Sequence, residues 1–158
     1  FVRLTIREGC IGETVPALEA GEAHAVAGDE AVRSVLAEIA RDERAHAELA
    51  WSAVRWALDA FGDVARAVVV EELAVVEEEV RAASPHVATS VMTTADQLAR
   101  HGIVSASMRA TLRRETLDQV VVPCLRALVA SNDRPVAAYS APGFDGTAPF
   151  DCIGPSLE

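Results

Sequence analysis

The sequence predicts an all-α protein, an antiparallel helical bundle with an irregular C-terminal tail, and three observations point there. Five segments place apolar residues three and four apart, hydrophobic residues make up 51% of the chain while aromatics make up 4%, and no segment alternates as a half-buried strand does. A core of Ala, Val and Leu with so few rings suits closely packed helices, because Ala and Leu are strong helix formers. At 158 residues the chain is long enough for one domain that buries roughly two thirds of its unfolded surface.

The first helix is expected from Val2 to Val26, with Ala27-Gly28-Asp29 acting as a stop and then an N-cap for the next. Pro16 removes the hydrogen bond to the carbonyl of Gly12 and predicts a kink. The second helix should run from about Glu30 to Ala60, with Phe61-Gly62-Asp63 as its stop and the following cap. A third, from about Val64 to Ala83, ends before Pro85, which biases Ser84 away from helical geometry. A shorter helix spans residues 87–100 and closes at His101-Gly102, and a last one, capped by Ser105 or Ser107 and interrupted by Pro123, ends near Ser131. The runs Val68-Val69-Val70 and Val120-Val121-Val122 sit inside helical periodicity, so they are not strands. Residues 1–131 thus read as the bundle. Residues 132–158, with Pro135, Pro142, Pro149, Pro155, Gly143, Gly146 and Gly154, read as a tail that either wraps the bundle or is disordered.

A net charge of −10 excludes nucleic acid and anionic membrane as main partners, since no cluster of Lys and Arg exists to displace phosphate counterions. Metal ions suit such a surface, although excess acid is commonly only solvated. Cys10, Cys124 and Cys152 lie far apart without a CxxC pair, which argues against a zinc ribbon or a dense disulfide framework. No apolar run approaches the roughly 18 residues of a transmembrane helix. The chain opens at Phe1 without a signal segment, so it reads as a mature product or a fragment, in the cytoplasm or in the cell envelope if an upstream signal was removed.

The chemistry concentrates in the second helix. Its seam positions 32, 36, 39, 43, 46, 50, 53 and 57 read Val, Leu, Ile, Glu, His, Ala, Ala, Ala, which puts Glu43 and His46 in the middle of an apolar stripe. A bare carboxylate in such a place costs several kcal/mol unless it is paired, protonated or bound to a cation. Three residues apart, the two side chains leave one face a turn apart and can address one ion, the Glu-x-x-His arrangement of carboxylate-bridged di-iron and di-manganese bundles. The competing reading is a core histidine hydrogen-bonded to Glu43 or Asp42. Asp42 is also a candidate second partner for the His46 ring, or a surface partner of Arg41 or Arg44.

A further carboxylate must come from the first helix, which offers Glu8 and Glu13. Glu13 precedes Gly28 by 15 residues and Glu43 follows it by 15, so an antiparallel hairpin brings these two to one level. Glu8 lies about 7.5 Å further out along the axis and is held in reserve. His24 is about 16 Å from Glu13 along the same helix, too far to share its centre. His86 and His101 fall at helix boundaries, and Trp51 and Trp56 read as core.

The segments Arg7-Glu8-Gly9-Cys10-Ile11-Gly12-Glu13-Thr14 and Ala40-Arg41-Asp42-Glu43-Arg44-Ala45-His46-Ala47-Glu48-Leu49-Ala50-Trp51 resemble the second half of bacterial ferritin-like domain proteins, over residues 1 to about 60. In that superfamily each half contributes one Glu from its first helix and a Glu-x-x-His from its second, and two halves enclose two metals. The resemblance implies Glu13 as a terminal carboxylate, Glu43 as a bridging one, His46 as the nitrogen ligand, and Fe or Mn as the metals. It implies oxidation of ferrous iron or removal of peroxide, an oxidoreductase type of activity.

A second such set is missing. Glu115-Thr116-Leu117-Asp118 has Asp where His is required. Glu72, between Val69 and Val76, is a reserve ligand, but Glu71-Glu72 and Glu77-Glu78-Glu79 read first as a solvated face. Either two chains form a homodimer around the centre, or a missing half lies upstream of Phe1. The alternative function is a metal-free structural or interaction module that kept the fold and lost the complete site.

Overall fold

Asp29 makes the first corner: its side chain accepts hydrogen bonds from the backbone N–H groups of Ala31 and Val32, satisfying two donors that the start of a helix leaves open. The computed structural model describes residues 1–83 and 98–131, helical except for chain ends and short connections, with no strand among them. Before this corner runs helix α1, a continuous rod of Val2–Leu4, a π-helical stretch Thr5–Ile11, and Gly12–Val26. After it runs α2, Glu30–Phe61, at 32 residues roughly 48 Å long. Replacing the cap, Asp29→Ala, should lower stability by about 1 kcal/mol, measured as a shift of the urea midpoint.

The second corner is Gly62, at φ +52°, a backbone region that disfavours side chains. It caps α3, Asp63–Ala82, so Asp63 opens the helix as its first residue where a capping role was predicted. The last rod, α4, comprises Ala106–Thr116, a π-helical stretch Leu117–Val121, and Val122–Ser131, and Ser105 caps it by accepting from the Met108 N–H. Of the predicted helix over residues 87–100, residues 98–100 are helical and the rest, with His86 and the tail from residue 132, lies outside the described residues.

The prolines do not break their rods. Pro16 lies within Gly12–Val26 and Pro123 within Val122–Ser131, each a few residues after a π-helical stretch. Proline lacks the N–H and crowds the carbonyl four residues back, and a local widening of the turn re-aims the carbonyls before it. Such stretches carry no signature in hydrophobic spacing, and none was expected.

Helices α1 and α2 form a long antiparallel hairpin, and α3 packs along α4. The start of α1 also rests on α3, and Gly12–Val26 on Ala106–Thr116 of α4. So α1 lies between α2 on one side and the α3–α4 pair on the other. The core runs through this centre, with Ile6, Val54, Val69, Val76, Leu117 and Leu125 fully buried. At the far tip, the Gly28 N–H donates to the carbonyl of Arg100, at 2.8 Å. Gly102, at φ +74°, seats so closely there that a Cβ would stand 2.8 Å from Leu36 Cδ1.

The central place of α1 explains Glu72. A solvated face was expected, yet Glu72 is buried, and its carboxylate accepts from Arg3 Nε at 2.7 Å and Arg7 Nε at 2.5 Å. Arg3 reaches on to Glu71, Arg7 to Glu79, and Glu79 to Arg113 of α4, so one ion-pair network ties three helices. A reserve metal ligand is therefore a neutralised structural carboxylate. Two arginines four apart on one face at the start of α1 were the available signal.

Candidate metal centre

Glu13 stands on α1 just after the π-helical stretch, and Glu43 with His46 one turn apart on α2, at the level the hairpin count predicted. The three side chains meet: one ligand atom from each lies within 4.8 Å of the others. His46 Nδ1 is 3.7 Å from Glu43 Oε2 and 3.9 Å from Glu13 Oε2. They form the one group of three or more potential metal ligands found among the described residues.

Small residues let the two helices come this close. A Cβ on Gly9 would stand 2.5 Å from the Cβ of Ala50, and Cys10, Ala17, Ala20 and Ala47 are buried along the same hairpin. Beneath the site, the Trp51 Nε1–H donates to Thr14 Oγ1 at 3.4 Å, both side chains buried, which joins α2 to α1 one residue from Glu13. At the hairpin tip, the His24 ring meets the Arg33 carbonyl at 2.9 Å, with Nδ1 as donor. These contacts restrain rotation of either helix about its axis.

The electrostatics favour a positive charge. A hydrogen bond from the Glu13 carboxyl to the Glu43 side chain, then desolvation, then the Glu43 charge hold Glu13 above the usual carboxylate range, while His46 pulls it down. Two carboxylates this close resist joint ionisation, and a proton or a cation between them relieves the repulsion. Two oxygens and an imidazole nitrogen match first-row ions such as Fe and Mn and leave positions open. The donor set therefore fits the metals that the resemblance implies.

One expectation fails. Glu43 and His46 do not sit inside a buried seam: Glu43 is 29% exposed, Glu13 32% and His46 63%. Along the stripe only Ala50 and Ala57 are fully buried, where α2 packs on α1, while Val32 and Leu36 near its start are half-buried against Gly102. The reserve residues Glu8 and Asp42 are exposed and stand outside the cluster. Glu115 lies 3.7 Å from Arg114 and takes no part. Trp51 is in the core as expected, whereas Trp56 is exposed, edge-on to the rings of Phe1 and Phe61. Cys10 is fully buried, and burial pushes its thiol far above the ordinary range, which makes it inert rather than nucleophilic.

None of the described helices is long and apolar enough to cross a membrane. Comparison with protein-family models, with curated proteins and with solved structures finds no match to this chain.

Proposed function

We propose that this protein binds Fe or Mn through Glu13, Glu43 and His46, as one half of a carboxylate-bridged di-metal centre of ferritin-like type. The observation that carries the reading is the convergence of two carboxylates and an imidazole from two helices, one ligand atom of each within 4.8 Å of the others. The segments around Glu13 and Glu43 that resemble ferritin-like proteins support the same assignment. When bound, such ions supply the electron-transfer steps of ferrous-iron oxidation or peroxide removal. The chain's own part is to hold the donors: Glu13 and Glu43 offer carboxylate oxygens, and His46 offers its exposed ring nitrogen. Trp51 and Thr14 keep the floor of the site fixed.

The second reading, a metal-free module, is favoured by the exposure of His46, since an exposed cluster tolerates its charges without an ion. The two readings part on Glu43→Ala. Under the metal reading this change should weaken binding by at least about tenfold, the low end of what is lost even for residues behind the ligands. Helicity should stay unchanged, and Glu115→Ala should bind as the parent does. Elemental analysis per chain after reconstitution with ferrous iron or manganese measures it. Equal binding by the parent and Glu43→Ala refutes the site.

A further inference from the structure

Cys124 stands on α4 in the core with Val121, Leu125 and Leu128, 4% exposed, and its sulfur is bonded in a disulfide. The chain has three cysteines, and Cys10, fully buried on α1, is a free thiol. Cys152 is the one cysteine left to be the partner. The pairing would join a core residue of the bundle to the Pro- and Gly-rich tail, which lies outside the described residues.

The direction of α4 sets where the tail leaves the bundle. Ala106–Thr116 rests on Gly12–Val26 and Leu117–Val121 on Thr5–Ile11, so α4 runs down α1 from its late residues to its early ones. Val122–Ser131, about 15 Å of helix, then carries the chain to the end of the bundle where α1 begins. Cys124 lies seven residues back from Ser131, roughly 10 Å up the helix. A disulfide holds its two Cα atoms about 5.5 Å apart, so a tail bonded to Cys124 must turn and come back along α4. The sequence offers that turn midway: Pro142-Gly143, a strong turn signal, begins 11 residues after Ser131, and Cys152 follows Pro142 by 10.

We propose that Cys124 and Cys152 form a disulfide within one chain, which straps the C-terminal tail back onto α4. Closure takes two electrons and two protons from the two thiols and delivers them to a disulfide oxidant, whose own bond opens to two thiols. Of the two readings of residues 132–158, a wrapping tail or a disordered one, the strap selects the first as far as Cys152. It closes a loop of 28 residues, which restricts the unfolded chain and so stabilises the bundle. The burial of Cys124 shields the bond from small reductants, which makes it a structural tie rather than a labile switch. Ties of this kind form and persist in oxidising surroundings, so the chain folds outside a reducing cytoplasm. Nothing in the strap depends on the metal reading.

Mass spectrometry of the full chain tests this, after folding in a buffer of oxidised and reduced glutathione and unfolding in guanidinium with iodoacetamide. The parent should take one label, on Cys10, and three once it has been reduced. Tryptic digestion before reduction should yield the peptide 115–126, which carries Cys124, joined to the one that carries Cys152. Cys152→Ser should take two labels and melt about 5 to 10 °C below the parent. Three labels on the unreduced parent, a link from Cys124 to Cys10, or a link between two chains overturns the proposal. Equal melting of the parent and Cys152→Ser overturns it as well, since a strap that constrains nothing does not hold the tail. If Cys152→Ser fails to fold, the label count and the joined peptide of the parent decide alone.

Discussion

Glu72→Ala is expected to lower the unfolding free energy by about 3 kcal/mol, the low end of what breaking a buried ion pair costs. Glu72 is buried while its partners Arg3 and Arg7 are partly exposed, so the arginines recover some solvation when the carboxylate is removed. The larger part of the loss is the half-buried Arg7, left facing the α1–α3 contact with only the more distant Glu79, at 3.8 Å. Glu72→Gln keeps acceptor capacity without the charge and should lose less. Urea unfolding followed by circular dichroism ranks the three proteins, and Glu72→Ala with the parent midpoint would show that the network carries no stability.

Gly9→Val should cost a similar amount, about 3 kcal/mol, by overpacking. The added Cβ alone would stand 2.5 Å from the Cβ of Ala50, and Ala50 sits on a buried helix face that cannot retreat without moving α2. A branched side chain leaves no rotamer that avoids the contact. Ala50→Gly should therefore restore part of the loss when combined with Gly9→Val, although it lowers stability by itself. Under the metal reading, Gly9→Val should also weaken manganese binding, because the separation of α1 from α2 sets the distance between Glu13 and the Glu43–His46 pair. Simple additivity of the two substitutions would place the strain elsewhere.

The candidate site was legible because every step in finding it was local. Gly28 and Asp29 punctuate the chain by backbone geometry and capping, and counting outward from that corner puts Glu13 and Glu43 level. Helix ends at Val26, Phe61 and Ala82 fall within a residue or so of the positions that caps and prolines implied. The π-helical stretches at Thr5–Ile11 and Leu117–Val121 were not legible, since an extra residue in a turn leaves no trace in composition.

Periodicity states that a stripe needs covering, and says nothing of what covers it. The residues alone therefore determined the helices, their corners and the antiparallel level of the three donors, all of which follow from interactions a few residues apart. Tertiary packing decided that α1 and not α2 takes the centre of the bundle. From that one choice follow the burial of Glu72 between Arg3 and Arg7 and, among the described residues, the exposure of Glu43, His46 and Leu49 on α2. The physical reason is that a helix with two apolar faces can be stabilised equally by its own chain or by another, and only the placement of every neighbour distinguishes them.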